Sequence, residues 1–395
     1  MKILFLDWKS LGNEDIIRAA NNLSVEGYNI ELKLHPFDNH IEDDDKNALD
    51  KLKMAIKDET PDFVMSFNYF PLVSIACNEL GIKYVAWVYD NPAMRLFSYT
   101  LINPCNYVFV FDSQMYETFA VQGINTVYYL PMAAAVSRYD NLPDKTDKKK
   151  MFSGKVSFVG HLYNENYNYF DRVYEKASDY TKGYLDGVIK SQMEIQGLHI
   201  TDKMLPPEVM KEMIDILGAK PGYGSVASYE YLYSNYVIDR KITSLERCEI
   251  LKMIAEKYPV ELYTSNEEFV PMGVNNHGEV DYYLSMPYVF KYSDINLNIT
   301  LRSIQRGIPL RCFDIMGCGG FLLTNYQEDM LQFFEPGKDF VYYESKNDLM
   351  DKIDYYLEHE DERKQIVQSG HEKITAFHTY EQRLAEIIDV VTSGR

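Results

Sequence analysis

The sequence predicts two α/β domains, each built on a parallel sheet with helices on both faces. Short apolar runs alternate with helical patterns in both halves of the chain, and such alternation implies crossover connections between parallel strands. A polar stretch without apolar periodicity, residues 139–154, separates the halves. The chain of 395 residues, 46% of them hydrophobic, is also long enough for more than one core.

The predicted domain organisation follows from these breaks. We place the first domain at residues 1–138, a linker at 139–154 and the second domain at 155–377. The remaining segment, 378–395, reads as a helix whose apolar face carries Tyr380, Leu384 and Ile388. We expect this helix to pack back on the first domain, and the two sheets to face each other across a cleft.

The first domain starts with a strand, and its elements follow one another at short intervals. Predicted strands are Lys2–Leu6, Tyr28–Leu34, Phe63–Phe67, Tyr84–Tyr89, Tyr107–Phe111 and Thr126–Tyr129. Predicted helices lie around Ile16–Leu23, at Pro71–Leu80 and near Met115–Val121. Because ligands bind beyond the carboxyl ends of parallel strands, the loops that follow these strands are the places to look for chemistry.

The second domain repeats the pattern but contains a long helical, Tyr-rich insertion at about residues 163–258. The predicted strands are Lys155–Gly160, Val260–Tyr263, Ile295–Ile299, Gly320–Thr324 and Phe340–Tyr343. Ser345, with Asp348 three residues later, is typical of a capped helix start. The tyrosines of the insertion either stack on sugar faces in an acceptor site or, more simply, pack the helices of the insertion.

Charge and composition exclude several classes of protein. Lys and Arg total 40 against 59 Asp and Glu, a net charge of −19 that repels nucleic acid and anionic lipid. No apolar window reaches the ~18 residues of a membrane span, and no leader segment is evident. The five cysteines are scattered without C-x-x-C spacing, so neither a zinc site nor a disulfide framework is predicted. We expect a cytoplasmic protein that binds neither nucleic acid nor a membrane.

Common catalytic signatures are missing from the sequence. It contains no G-x-G-x-x-G after a strand, no Walker A sequence, no H-E-x-x-H and no G-x-S-x-G. The run Asp43-Asp44-Asp45 resembles the metal-binding D-x-D of some sugar transferases, but it leads into a helix. We interpret it as an acidic helix cap.

The most unusual segment is INLNITLRSIQRGIPLRCFDIMGCGGFLLTN, residues 295–325. In it, a buried strand is followed by a loop with Arg302, Ser303 and Arg306, and Gly307-Ile308-Pro309 then opens a short helix. A glycine before a helix start leaves the backbone N–H groups accessible to a phosphate, and nearby arginines add charge-assisted bonds. Asp314, further along this helix, is suited to accept hydrogen bonds from a ribose.

A plainer interpretation of the same segment also stands. The arginines are then surface charges, Asp314 is paired with Arg311 across i, i+3, and the glycines only form a tight turn between helix and strand. Periodicity and spacing alone do not separate these two interpretations.

The chain resembles the CgeB-like glycosyltransferases over nearly its whole length. The resemblance rests on GIPLRCFDIMGCGGFLLTN, FFEPGKDFVYYES and HTYEQRL in the second half, and on VAWVYDNP, VFVFD and YYLPMA in the first. It implies a GT-B fold, two Rossmann-like domains with the nucleotide-sugar donor, expected to be a UDP-sugar, on the C-terminal one. It also implies that no metal ion is required, because helix dipoles and cationic side chains neutralise the leaving diphosphate.

The resemblance also suggests roles for individual residues. Related GT-B transferases carry an E-x7-E signature whose second Glu binds the ribose, and this position falls on Asp314. The position of the first Glu falls on Arg306, so the acidic side chain is absent there. Gly160 matches a glycine beside the donor phosphates, and His161 stands where an Arg is common. The loop Gly278–Tyr282, with Val280 at its centre, matches the segment whose backbone contacts the base.

The implied reaction is transfer of a sugar from a nucleoside diphosphate to an acceptor hydroxyl of a polysaccharide or glycoprotein. Arg302, Arg311 and the helix start at Gly307, with Ser303 and Ile308, are our candidates for binding the diphosphate. Asp90, after the fourth strand, is the candidate general base or sugar-orienting group; alternatively it only completes an Asp-Asn-Pro turn. Two rival functions are a nucleotide-sugar epimerase and a catalytically silent, glycan-binding spore-surface scaffold.

Overall fold

The computed structural model describes residues 1–143 and 146–393. Its strands are β1 Lys2–Asp7, β2 Glu31–Pro36, β3 Phe63–Phe67, β4 Lys83–Val88, β5 Asn106–Val110, β6 Val127–Tyr129, β7 Gly154–Val159, β8 Val260–Tyr263, β9 Val274–Asn276, β10 Ser293–Asn298, β11 Leu322–Asn325 and β12 Val341–Tyr343.

The α-helices alternate with these strands. They are α1 Asn13–Leu23, α2 Lys46–Glu59, α3 Pro71–Leu80, α4 Ser113–Ala120, α5 Val136–Tyr139, α6 Thr146–Phe152, α7 Tyr169–Lys176, α8 Asp179–Glu194, α9 Pro207–Leu217, α10 Tyr229–Leu232, α11 Asp239–Ala255, α12 Met286–Tyr292, α13 Leu310–Gly317, α14 Met330–Phe333, α15 Lys346–Glu358, α16 Glu360–Phe377 and α17 Tyr380–Ser393. Short π or 3-10 segments occupy Ser24–Tyr28, Met94–Leu96, Tyr99–Ile102 and Tyr233–Ile238.

The chain forms two compact units. Unit 1 consists of Met1–Ala133, Pro221–Ser228 and His378–Arg395, and unit 2 consists of Ala134–Lys220 and Tyr229–Phe377. Each unit contains one six-stranded sheet in which every pairing is parallel. Parallel sheets need helices on both faces, so most strands are apolar throughout.

The sheet of unit 1 has the order β2-β1-β3-β4-β5-β6. Its central strands β3 and β4 are buried almost end to end, whereas the edge strand β2 is mostly exposed. The apolar face of α17 buries Leu384, Ile387 and Ile388, and this helix packs along α1. Each fully buried aliphatic side chain of this kind contributes about 1.5–3 kcal/mol to stability.

The sheet of unit 2 has the order β12-β11-β10-β7-β8-β9. Its core is formed by apolar residues of β7, β8, β10 and β11, together with the buried faces of α11 and α15. Helices α7–α10 enclose a separate apolar cluster that includes Phe170, Leu185, Met213 and Tyr233. The insertion between β7 and β8 therefore has a small core of its own.

The structure agrees with several of the predicted elements and differs at others. Strands β3 and β8 and helix α3 have the predicted bounds. Ser345 caps α15 by accepting from the N–H of Asp348, and Asp45 caps α2. Strand β2 begins three residues later than predicted, because the positive φ angles of Gly27 and Asn29 end the preceding turn there.

Other differences concern short or polar elements. The segment predicted as a linker contains helix α6, whose Phe152 is buried. Strand β9 and helices α12 and α16 were not predicted. Pro309, expected at the first helical position of α13, is instead its N-cap. No helix among the described residues has both the length and the apolar character needed to cross a membrane.

Candidate functional site

The candidate site of unit 2 lies where its sheet reverses direction. From β7 the chain continues to β8 and β9 on one side, whereas β10, β11 and β12 extend the sheet on the other. The crevice at the carboxyl ends of the two strands flanking such a reversal is the usual ligand site of open α/β sheets. Here those strands are β7 and β10, which are paired directly.

Arg247 joins the ends of these two strands. Its guanidinium donates to the carbonyl oxygen of Ile299, after β10, from Nε at 3.1 Å and from Nη2 at 2.5 Å. Nη1 donates to the carbonyl of His161, after β7. Arg247 is buried, and no carboxylate of the described residues forms an ion pair with it. A desolvated cation thus sits at the reversal point.

Gly160 and His161 follow β7, as predicted. A Cβ added to Gly160 would lie 3.3 Å from the ring of Phe158 and 4.0 Å from Nη1 of Arg247, so this glycine is next to the guanidinium. His161 is half-buried, and its Nε2 lies 3.0 Å from Oε1 of Glu165. Desolvation lowers the pKa of His161, and the cations Arg247 and Arg240 lower it further, against the opposite effect of Glu165.

The loop after β10 leads to the N-terminus of α13. Gly307 and Ile308 are buried in this loop, immediately before the Pro309 cap. Ser303 is 2% exposed, and its Oγ has no hydrogen-bond partner among the described residues. A buried hydroxyl without a protein partner is costly, and a helix N-terminus attracts anions, so both features favour a phosphate ligand.

Arg311 lies in the first turn of α13. Its guanidinium is 5.5 Å from the ring centroid of Phe290, and Nη1 is 2.7 Å from Sδ of Met286. Asp314, which the sequence offered as an i, i+3 partner of Arg311, accepts hydrogen bonds from the hydroxyls of Tyr139 and Tyr282. Burial lowers the pKa of Arg247, and the charge of Arg311 lowers it further. The two cations are therefore close enough to repel each other.

Asp314 is 1% exposed within α13. Its Oδ1 accepts hydrogen bonds from the hydroxyls of Tyr139 at 2.7 Å and Tyr282 at 3.3 Å. Desolvation raises the pKa of Tyr139 well above its usual value, and the carboxylate of Asp314 adds to this increase. A ribose on Asp314 would have to take the place of these phenols.

Val280 is half-buried in the loop that follows β9. The next residue, Asp281, stabilises this loop because its Oδ1 accepts from the N–H groups of Tyr283 and Leu284. The strand that precedes the loop is at the edge of the sheet, two strands away from β7. The loop therefore belongs to the same carboxyl edge as Gly160.

Arg302 is in the same loop as Ser303, but its guanidinium is engaged elsewhere. Nε donates to Oε2 of Glu246 at 2.7 Å, Nη2 pairs with Oε1, and Nη1 donates to the carbonyl of Ile195 at 3.0 Å. Both side chains of the ion pair are buried. The predicted role of Arg302 at a leaving diphosphate would require this ion pair to open.

The candidate site of unit 1 is formed by residues that follow β3 and β4. Asp90 Oδ2 accepts from Nδ2 of Asn68 at 2.6 Å, and Oδ1 of Asn68 accepts from the N–H groups of Tyr89 and Asp90. Asp90 is exposed as a residue, yet desolvation of its carboxylate raises its pKa, against the opposite effect of Asn68. The carboxylate is thus fixed through one oxygen and open through the other.

Nearby aromatic side chains complete this surface of unit 1. The ring of Trp8, after β1, is stacked on Tyr89 with centroids 6.2 Å apart, and its Nε1 donates to the carbonyl of Phe67. Carboxylate, amide and aromatic groups together are suited to bind a sugar, whose hydroxyls need acceptors and whose C–H faces need flat apolar partners.

Sequence reasoning did not single out Arg247. A usable indication was present, because Arg247 lies on the face of α11 that also carries the buried Ile250, Leu251 and Ile254. A charged residue on an apolar face is rarely buried without a specific partner. Among residues 1–143 and 146–393, no group of three or more His, Cys, Asp or Glu side chains is arranged to hold a metal ion.

Comparison with solved structures identifies the fold. A glycosyltransferase from Rickettsia africae matches with a TM-score of 0.55 at 9% identity, over 99% of this chain and 98% of that one. HepE from Anabaena, crystallised with UDP-glucose, matches with a TM-score of 0.56 at 12% identity over the whole of both chains. WaaG, a glycosyltransferase of lipopolysaccharide biosynthesis, matches with a TM-score of 0.52 at 10% identity, over 99% and 100%. The chain has the GT-B glycosyltransferase fold.

Comparison with family models gives a second, partial match. Residues 244–389 match the family described as glycosyl transferase-like. The matched segment starts in α11, just before Arg247, and includes the loop and helix that carry Ser303, Gly307, Arg311 and Asp314. No curated protein matches the chain in sequence.

Proposed function

We propose that this protein transfers a sugar from a UDP-sugar to a hydroxyl of a carbohydrate or glycoprotein acceptor. The observation that carries the proposal is the buried Arg247, which joins the carboxyl ends of β7 and β10 without a carboxylate partner. A buried cation without an ion-paired carboxylate is costly, so its presence here favours an anionic ligand beside the two strand ends, in addition to the carbonyl groups that it already binds. The GT-B fold, shared with a protein crystallised with UDP-glucose, supports a nucleotide-sugar as that anion.

In this proposal the diphosphate is bound by backbone and side chains of unit 2. The N–H groups at the start of α13, the hydroxyl of Ser303 and the guanidinium of Arg311 bind the phosphate oxygens, next to Gly160 and His161. Arg247 contributes its charge to the same place. The loop around Val280 contacts the base, and Asp314 binds the ribose after Tyr139 and Tyr282 have moved aside.

The proposed reaction breaks the bond between the anomeric carbon and the β-phosphate oxygen. Negative charge then accumulates on the β-phosphate, where Arg311, Arg247 and the helix N-terminus stabilise it. The acceptor oxygen forms the new bond to the anomeric carbon and gives its proton to a general base, for which Asp90 is our candidate. The raised pKa makes Asp90 a stronger base than an ordinary aspartate.

Two finer parts of the proposal, a hexosyl donor and independence from divalent metal ions, rest on the resemblance to CgeB-like enzymes. Action in the cytoplasm is an expectation from the sequence alone. The arginines and the helix start supply the positive charge that a metal ion supplies in other transferases. Arg302 is included as a residue that positions the loop after β10 through its ion pair with Glu246.

The test is thermal unfolding of the full chain with UDP, GDP, ADP and UDP-glucose in the presence of EDTA. We expect UDP and UDP-glucose to raise the melting temperature, because a ligand that binds only the folded state stabilises it. Arg311→Gln should reduce UDP affinity by about 10-fold or more, in line with the loss of a hydrogen bond between charged groups. The exposed Arg172→Gln is the matched control, since it removes the same charge at a residue that is not among those proposed to bind the donor.

The outcomes separate the proposal from its rivals. If none of the nucleotides raises the melting temperature, the result contradicts the donor site and favours a silent scaffold. An equal rise in the melting temperature of wild type and Arg311→Gln would do the same. If UDP-glucose binds, its conversion to another UDP-sugar without acceptor would instead indicate an epimerase. Release of UDP that requires a carbohydrate acceptor is the result we expect.

A further inference from the structure

Unit 1 contains a pocket of about 370 Å³ that is separate from the Asp90 carboxylate. Its walls come from the loop after β2 (His40–Asp43), the start of α3 at Pro71 and the loop after β4 (Met94–Ser98). The remaining wall is formed by residues of the segment Pro221–Ser228, here called the strap, which lies between α9 and α10 in the chain but packs in unit 1.

The strap is held in a defined register. The N–H of Val226 donates to the carbonyl of Phe97 at 2.6 Å, and Oγ of Ser225 donates to the same oxygen at 3.1 Å. Gly224 has a φ of +64°, and a Cβ there would lie 2.9 Å from the ring of Tyr99. A larger residue would be strained at this φ and would displace the Tyr99 ring, so the glycine allows the strap to approach Tyr99 closely.

The backbone of the strap places one aromatic ring at the pocket. Tyr223 lines it, yet 67% of this residue is exposed. Phe97 lines the pocket from the loop after β4. Large exposed aromatic side chains beside a pocket are typical of surfaces that bind a ligand with an apolar face.

The charges of the pocket lining restrict the ligand. Glu42 and Asp43 contribute two carboxylates. The one arginine of the lining, Arg95, is already engaged: it donates to the carbonyls of Asn39 and Ile41, lies 3.8 Å from Asp43 and packs over the ring of Phe70. Carboxylates accept hydrogen bonds from hydroxyl groups and repel anions, so a phosphate or a uronic acid is disfavoured.

We propose that this pocket binds a neutral sugar residue of the acceptor, at a distance along the acceptor from the hydroxyl that reacts. Tyr223 and Phe97 contact the C–H face of the sugar, and Glu42 and Asp43 accept hydrogen bonds from its hydroxyls. That this sugar belongs to the acceptor rests on the proposed transferase function. Binding of the sugar in the pocket does not depend on the donor. Phe70 contacts Trp8, beside Asp90, and Arg95, which lines the pocket.

The test is saturation-transfer NMR on the full chain with neutral disaccharides, namely maltose, cellobiose, lactose and diacetylchitobiose, and with cellobiouronic acid as the anionic probe. We expect at least one neutral disaccharide to give saturation transfer and cellobiouronic acid to give none. Tyr223→Ala should reduce the signal several-fold, whereas Tyr223→Phe should retain it because the ring is kept. Asp43→Asn, which preserves the shape of the side chain, should also weaken binding.

Tyr167→Ala is the matched control, since Tyr167 is a comparably exposed tyrosine in unit 2. Absence of binding by all neutral probes, binding that is indifferent to Tyr223, or preference for the uronic acid would each overturn the proposal. UDP binding is measured on the same samples. Loss of disaccharide binding alone then identifies a failed pocket assignment, and loss of UDP binding alone a failed transferase assignment.

Discussion

Arg302 and Glu246 form a buried, two-point ion pair in unit 2, with Nε of the arginine 2.7 Å from Oε2 of the glutamate and Nη2 paired with Oε1. The pair connects the loop after β10 to helix α11. The same loop carries Ser303, and the same helix carries Arg247, so the ion pair fixes two parts of the candidate donor site relative to each other.

Removal of Arg302 alone should destabilise the protein strongly. Arg302→Ala leaves the buried Glu246 carboxylate without its cation, and we expect the free energy of unfolding to fall by about 3–5 kcal/mol. The double variant Arg302→Met with Glu246→Met should recover most of this loss, because no buried charge remains. Urea unfolding followed by circular dichroism measures both. Equal stability of the single and double variants would show that the ion pair is not the reason for the loss.

Asp90 should titrate at higher pH than an ordinary aspartate. Desolvation raises its pKa, and the hydrogen bond from Asn68 partly lowers it again. Asn68→Gly removes that bond, and glycine adopts the φ of +59° at this position without strain. We therefore expect the Asp90 midpoint in a carboxyl ¹³C NMR titration, assigned with Asp90→Asn, to rise further in this variant. A midpoint unchanged by Asn68→Gly would count against Asn68 as a positioning residue for Asp90.

Asp314 and Tyr139 should respond differently to UDP. If Asp314 binds the ribose, Asp314→Asn lowers UDP affinity by about 10-fold, and 2′-deoxy-UDP and UDP then bind this variant equally. Tyr139→Phe removes the hydroxyl that competes for Oδ1, so UDP affinity should stay the same or increase. Isothermal titration calorimetry measures the dissociation constants of UDP for wild type, Asp314→Asn and Tyr139→Phe, and that of 2′-deoxy-UDP for Asp314→Asn. An Asp314→Asn variant that binds UDP like the wild type would restrict Asp314 to holding Tyr139.

His199 should make stability depend on pH. Desolvation alone would lower its pKa, but the carboxylates of Asp239 and Asp202 outweigh this and raise the pKa to about 9. Because the folded pKa lies above the unfolded value of about 6.5, the stabilisation is present below pH ~6.5 and is lost as pH rises through 9. The interaction of His199 with these two carboxylates contributes on the order of 3 kcal/mol to the free energy of unfolding. Stability measured from pH 6 to 10 should fall less steeply in His199→Gln than in the wild type, and parallel curves would contradict the assignment.

Two helical glycines should respond in opposite directions to the same substitution. A Cβ on Gly370, in α16, would lie 2.3 Å from the backbone carbonyl oxygen of Asp339, so Gly370→Ala should cost about 1–3 kcal/mol. Gly187, in α8, is exposed with no atom within 4 Å of an added Cβ, so Gly187→Ala should stabilise by about 1 kcal/mol. Thermal unfolding of both variants checks the pair. Stabilisation by Gly370→Ala would mean that α16 moves easily relative to the backbone at Asp339.

The strands could be predicted because their burial is visible in the sequence. Phe63–Phe67 and Val260–Tyr263 are short apolar runs between polar stretches, and the structure gives them those bounds. The exposed edge strand β2 and the three-residue β9 lack such a pattern. Their formation depends on pairing with a neighbouring strand, which local sequence does not record.

The candidate site could be proposed from the sequence where its groups belong to one loop and helix. Ser303, Gly307 and Arg311 follow one another closely, and their pattern allowed a phosphate site as one of two interpretations. The partner of Arg302 is 56 residues away in the chain, so nothing local distinguished an ion pair from a ligand contact. Tyr139, one of the two phenols that donate to Asp314, is 175 residues away in the chain, so this hydrogen bond could not be predicted from local sequence.

The hydrogen bond between Arg247 and the carbonyl of His161 joins two points that are 86 residues apart in the chain. The chain between them includes α7–α10, which have an apolar core of their own, and the strap. Replacing this insertion by that of a related chain would therefore test whether donor binding, which we propose for residues at its two ends, is independent of what lies between them.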